Sequence, residues 1–430
     1  MLGLIIVGLI TVWALIKYKQ SVIFTAVVLQ PFSYLGTGID GVRILPLVIC
    51  ILLIIDIKNK FIHIVKYGKN RKETYPFIMI LASGFITISY LMTEYFAMLH
   101  NLNIILINLI SFFVLPYLLW NALDSHKMFV FFIKLMMYFY LIVVISGCLE
   151  QLFRNNYIYN AIISIFPVEQ YSLDSIGTRY GIKRGNSIFG YSTPYGIFCG
   201  LSFVIFYIIY QNKVCKKYIM LQKVLLILLP ICLFFSSSRA IYLGIIPIVL
   251  TLVNIKSFFS KKLFIGIFCF LLSLPLIGKY ISFILDSIFN SNDSSVGGST
   301  IDMKNIQLDI CLFYLNQSPI WGNGKLYLWT YVKPYNPDLL GAESLWYPLM
   351  VDYGLMGCLG YIFLIIACMI PLFKIQHRLI FFPLIYFFMT LLSPDVGVEF
   401  NVLTTYTVML IRTSQYSFKP STNIYDNNNS

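Results

Sequence analysis

The sequence predicts an all-α fold: a polytopic integral membrane helix bundle of 12 to 14 transmembrane helices with two long outer loops. Three observations predict it. Hydrophobic residues make up 59% of the 430 and charged residues 11%, with a mean hydropathy of +0.80, whereas a soluble multidomain protein carries about 25% charged residues. The apolar residues are gathered into runs near the length of a bilayer crossing, about 20 helical residues for a core of about 30 Å. The basic residues favour alternate connections between those runs, as the positive-inside rule expects.

The runs fall near 1–16, 21–30, 44–57, 76–92, 103–120, 129–149, 187–210, 219–235, 240–253, 263–278, 345–373, 379–393 and 401–411. The second and the last are short, so either is re-entrant or joined to its flanks. The first resembles a signal sequence, but no small-residue cleavage site follows Ile16, so it is kept as a span. No repeat of 20–50 residues is visible, and residues 1–430 read as a single membrane domain.

Placing the loop 58–75, with its six Lys and Arg, in the cytoplasm fixes the other sides. The inner connections are then 17–20, 121–128, 211–218, 254–262, 374–378 and the tail after 411. With Lys223 they hold 20 basic residues against Asp56, Glu73, Asp124 and Asp426. The outer side holds ten basic residues against thirteen acids. The net charge of +13 therefore records topology and requires no nucleic-acid partner. The N-terminus is expected outside and the C-terminus inside.

The two long outer loops are 150–186 and 279–343, so function is expected to face outward. In the second, 300–316 reads as an amphipathic helix with Ile306, Ile310 and Phe313 on one stripe, after the flexible stretch Ser291–Ser299. Of nine cysteines, seven lie within spans, Cys215 is inside and Cys311 outside; no pair is placed to bridge on the oxidising side, and all read as packing residues. Histidines are scattered, and Asp302 with Asp309 reads as a solvated face, so no metal site and no cofactor is expected. Gly322-Asn323-Gly324-Lys325 lacks nucleotide-loop spacing and is a turn.

Basic residues at the outer ends of spans are costly near hydrocarbon and therefore informative. Arg239 follows Ser236-Ser237-Ser238 at a tight connection, where a guanidinium beside hydroxyls suits a phosphate; Ser238 is its adjacent donor. Arg179, Lys183 and Arg184 form a second cluster, before a span whose Pro194 is expected to kink it or start it late. Lys304 opens the amphipathic helix. Snorkelling to lipid headgroups is the competing reading for these side chains. Glu343 closes the second loop at a span mouth, where partial desolvation suits a general base; a macrodipole-stabilised helix acid is the alternative.

In order along the chain, Arg184 with Gly185–Gly196, Ser238-Arg239, Ser318–Gly324 and Glu343-Ser344 nine residues before Gly354–Gly357 resemble the O-antigen polymerase and ligase superfamily, the Wzy-like and WaaL-like membrane glycosyltransferases. Two departures stand out. Glutamate occupies the place where ligases of that superfamily carry histidine, which favours a polymerase, and Lys304 stands where many members have arginine. The resemblance implies transfer of a growing glycan from its polyprenyl pyrophosphate carrier to a sugar hydroxyl of another lipid-linked repeat unit. It implies Arg239 and Arg184 on the pyrophosphate, Arg179 and Lys304 as lesser contacts, and Glu343 as base. Polyprenyl-pyrophosphate-linked oligosaccharides and membrane lipids are the expected partners, with a chain-length regulator protein as a further partner class, at the bacterial cytoplasmic membrane. Tyr327, Trp329, Tyr331 and Tyr335 either stack on sugars or anchor at the interface. A glycan ligase and a lipid-linked oligosaccharide flippase are the alternative functions.

Overall fold

The computed structural model describes residues 2–38, 42–67, 82, 84, 86–88, 92, 110–166, 178–179, 182–189, 191–211, 216–236, 301–324, 326–339, 342, 344–391 and 399–418. The expected spans 240–253 and 263–278, most of 76–92, the first part of 103–120 and the start of the second outer loop lie outside them. Among the described residues the fold is helical, apart from one two-residue hairpin. Four helical stretches are long and apolar enough to cross a membrane: Leu2–Phe32, His126–Phe153, Ser192–Gln211 and Trp346–Ile375.

The first of these folds back on itself. Helix α1 (Leu2–Phe24) breaks at Lys17, with φ −134° and ψ 62°, and the chain continues helically to Phe32. Trp13 and Phe24 meet edge to face at 5.3 Å, and a Cβ on Gly3 would come within 2.7 Å of the Thr37 Cα. A straight helix rises about 1.5 Å per residue and would hold these groups far apart. The runs expected at 1–16 and 21–30 are thus the two legs of one hairpin, with Lys17 and Lys19 at its tip.

Helices α2 (Ile44–Tyr67), α3 (Leu115–Ala122) and α4 (His126–Phe153) follow. Ser125 caps α4 by accepting the Met128 N–H, and Arg154, at φ 51°, ends it in the left-handed region. A short helix α5 (Tyr157–Ile165) and the hairpin of β1 (Thr178–Arg179) with β2 (Ile182–Lys183) lead to α6 (Ser192–Gln211) and α7 (Ile219–Phe235). Beyond come α8 (Ile301–Leu315), α9 (Trp346–Ile375), α10 (Phe381–Leu391) and α11 (Glu399–Phe418). Helix α6 starts only at Ser192, so Pro194 sits in its first turn, where the missing N–H costs nothing.

Two ends of the bundle are defined by contacts to a few segments. At one, Lys19 pairs with Asp124 at 2.6 Å, Lys60 donates to the Tyr117 hydroxyl, Arg412 donates to the Trp120 carbonyl at 2.9 Å, and Tyr416 donates to the Leu123 carbonyl. At the other, Tyr34 donates to the Ile188 carbonyl at 2.6 Å, and Gly185 donates to the Phe235 carbonyl at 2.9 Å. Every group at the first end comes from a segment or flank expected on one side, and every group at the second from the opposite side.

Helix α8 falls where the sequence places it, but it buries Gln307, Cys311 and Leu315, while Ile306 and Phe313 of the expected stripe are exposed. The i, i+4, i+8 row that packs is Gln307, Cys311 and Leu315, and of the expected stripe Ile310 alone packs against the Cys311 cluster. Helix α4 runs past residue 149 to Phe153, so the expected first outer loop begins inside a helix and itself contains α5 and the β-hairpin.

Candidate functional site

Between β2 and α6 the chain is buried without being helical. Asn186 and Ser187 are fully buried and Ile188 and Phe189 nearly so. Backbone removed from water in this way needs a partner for each N–H and C=O. Glu150, in the last turn of α4, supplies two: its Oε2 accepts the N–H of Asn186 at 2.9 Å and of Ser187 at 2.8 Å. Asn156 donates to the Asn186 side-chain oxygen and to the Ser187 carbonyl, and Tyr34 serves the Ile188 carbonyl. The Ser187 hydroxyl donates to the Val143 carbonyl at 2.7 Å, and Gln151 donates to the Lys183 carbonyl at 2.8 Å. Ser187 is held at φ 50°, a left-handed conformation that costs an ordinary residue energy and persists only where surroundings over-determine it.

Glu150 is 1% exposed, and an isolated carboxylate so buried costs several kcal/mol. Two charge-assisted bonds and Lys183, whose Nζ lies 3.6 Å from Oε1, offset that cost. Burial also raises the pKa of the Tyr34 hydroxyl well above the ordinary phenol value, so it stays a neutral donor to Ile188.

Arg184 sits half-buried inside this clamp, between Lys183 and Gly185. The Gly185 N–H bonds the carbonyl of Phe235, the last residue of α7, and a Cβ on Gly185 would come within 3.3 Å of the same oxygen. The segment carrying Arg184 is therefore held against the chain that leads into the serine–arginine turn. Ser236, the first residue of that turn, is buried and bonds back to Leu233. Ser238 and Arg239 lie outside the described residues. Arg179 pairs through its backbone with Ile182 in the β-hairpin.

A second, smaller apolar cluster is formed by Cys311, Leu328, Val332, Leu339, Ala342 and Val351. Lys304 lies on α8, and its carbonyl accepts the Tyr347 hydroxyl at 3.1 Å, which ties α8 to α9. Glu343 lies outside the described residues. Its neighbour Ser344 is buried and bonds Ala342, and Leu345 donates to the Thr390 carbonyl at 3.0 Å.

In this cluster α9 is broken at Gly354, with φ 64° and ψ −166°, a conformation open essentially only to glycine. A continuous helix would bond Leu355 N–H to Val351 O and Met356 N–H to Asp352 O. Here Val351 O takes the N–H of Asn323 and Asp352 O that of Gly324, while Leu355 and Met356 donate to Pro319 and Ile320. The loop Ser318–Gly324 thus replaces both lost helical bonds. Close approach requires glycine twice: a Cβ on Gly322, at φ 79°, would sit 2.4 Å from Asp352 O, and one on Gly354 2.5 Å from Ile320 O. The Asp352 carboxylate, 4% exposed, accepts the N–H groups of Leu326 and Leu328 and caps the turn that follows.

Sequence reading missed Glu150 and Asp352. Glu150 falls at the first position of the expected outer loop 150–186, and Asp352 within the expected span 345–373. The available signal was an acid at the edge of a long apolar run, too costly to bury without a partner. No group of His, Cys, Asp and Glu among the described residues is arranged to hold a metal ion. No family model matches the chain, and no curated protein matches it either.

Proposed function

We propose that this chain is a polysaccharide polymerase. It joins polyprenyl-pyrophosphate-linked oligosaccharide repeat units, of an O-antigen or capsule, on the outer face of the bacterial cytoplasmic membrane. The observation that carries the reading is the Gly185–Phe235 hydrogen bond, which holds the clamped Arg184 segment beside the chain entering Ser238-Arg239. On this reading the guanidinium groups of Arg184 and Arg239 would neutralise the charge that builds on a pyrophosphate leaving group. Arg179 and Lys304 would serve as lesser phosphate or glycan contacts, and Glu343 would take the proton of the acceptor hydroxyl.

The same reading places the Lys19, Lys60 and Arg412 end in the cytoplasm and the Glu150 end outside, across 12 to 14 spans with the two long loops facing outward. Membrane lipids and a chain-length regulator protein are the partners it implies. Purified protein given lipid-linked repeat units should build a ladder of chain lengths. Transfer only onto a second acceptor would make it a ligase, and movement across vesicles without bond formation a flippase. Arg184→Lys keeps charge but loses the planar fork, so it should shorten the ladder at unchanged protein level; a wild-type ladder would remove Arg184 from the pyrophosphate.

A further inference from the structure

Helices α4 and α7 pack along each other, and two sulfurs meet on their seam: the Sγ atoms of Cys148 and Cys232 lie 3.8 Å apart. Cys148 stands two residues before Glu150, and Cys232 three before Phe235. The pair therefore lies directly beneath the two anchor points of the Arg184 segment. The sulfurs differ in access. Cys232 is fully buried, with its thiol 3.4 Å from the Val144 carbonyl, whereas Cys148 is half-buried and shares its helix face with the exposed Ile145 and Leu149. A disulfide needs the sulfurs about 2 Å apart, so the pair starts from van der Waals contact and closes by bringing the two sulfurs together.

We propose that Cys148 and Cys232 are a modification site, closed into a disulfide by exchange with a low-molecular-weight disulfide. The unequal access sets the order. The Cys148 thiolate attacks one sulfur of the reagent, forming a mixed disulfide and releasing one small thiolate, which takes up the proton Cys148 has lost. Cys232 then gives up its proton and attacks the Cys148 sulfur, releasing the second small thiol. Two cysteine thiols are oxidised to one disulfide and the reagent disulfide is reduced to two thiols. The bond staples the last turns of α4 and α7, which carry Glu150 and Phe235, so it locks both sides of the Arg184 segment at once. This inference is independent of the polymerase reading.

The test uses the full chain in detergent micelles, treated with hydroxyethyl disulfide, alkylated, digested without reduction and mapped by mass spectrometry. The expected product joins the Cys148 and Cys232 peptides within one chain, with the mass of two hydrogens lost, and dithiothreitol reverses it. Cys232→Ala should stop at the hydroxyethyl adduct on Cys148, and Cys148→Ala should leave Cys232 unmodified. The proposal is overturned if wild-type protein stops at the Cys148 adduct, if both cysteines remain alkylatable, or if the crosslink joins two copies. The wild-type map decides this even where a variant fails to fold.

Discussion

Among the described residues, two buried stretches of backbone that leave regular structure are satisfied in opposite ways. The Lys183–Phe189 segment is held mainly by side chains from afar: Glu150, Gln151, Asn156 and Tyr34. The Gly354 break in α9 is held mainly by backbone, through a swap of partners with Ser318–Gly324. A backbone swap needs close approach and so depends on glycine. A side-chain clamp tolerates an ordinary residue such as Ser187 at positive φ, but depends on buried polar groups. The first kind of structure is fragile to added atoms and the second to removed ones.

Substitutions should expose that contrast. Gly354→Ala adds a Cβ 2.5 Å from the Ile320 oxygen in a glycine-only conformation. It should cost about 3 kcal/mol or more and free the 319–332 segment for protease cleavage, read by unfolding in detergent and limited digestion. Glu150→Ala strands two buried N–H groups and Lys183 and should cost about 3 kcal/mol. Glu150→Gln, which keeps an oxygen for both N–H groups, should cost about 1 kcal/mol, and equal losses for the two variants would show that charge, not hydrogen bonding, makes the clamp. Asp352→Asn turns an amide NH₂ toward the N–H of Leu326 or Leu328 and should cost about 2 kcal/mol. Tyr34→Phe removes one donor of several and should cost about 1 kcal/mol; a larger loss would mean that the clamp fails as a unit.

The same contrast explains what the sequence could reveal. Membrane-length helices were readable from apolar runs, and the agreement of each bundle end with one expected side follows from counting Lys and Arg. The Ser318–Gly324 and Gly354–Gly357 motifs are visible in the sequence as parts of the resemblance, whereas the helix break at Gly354 and the exchange of bonds between the two are revealed only by the structure. The clamp was invisible: Glu150 and its partners Asn186 and Ser187 are far apart in the chain, and no local pattern links them. The packing face of α8 was misread for a different reason. Where lipid is the solvent, an apolar stripe can face outward, so periodicity finds the helix but not the side that packs. Of the candidate residues, Arg184 is placed in the clamp and Lys304 on α8, Arg179 only through its backbone, while Ser238, Arg239 and Glu343 lie outside the described residues.

The hairpin at the start of the chain carries a mechanical consequence. Each leg, from Leu2 to Ile16 and from Tyr18 to Phe32, is about 22 Å long at the helical rise, against a hydrocarbon core of about 30 Å. Leu4, Ile5, Leu9, Val12 and Ile16 line the exposed side of the first leg, while Lys19 at the tip is fixed to Asp124. Were the two legs to cross a bilayer, the mismatch would be met by thinning of the lipid or by snorkelling of Lys17 and Lys19 from the tip. Lipid thickness should therefore set how firmly this corner of the bundle is seated.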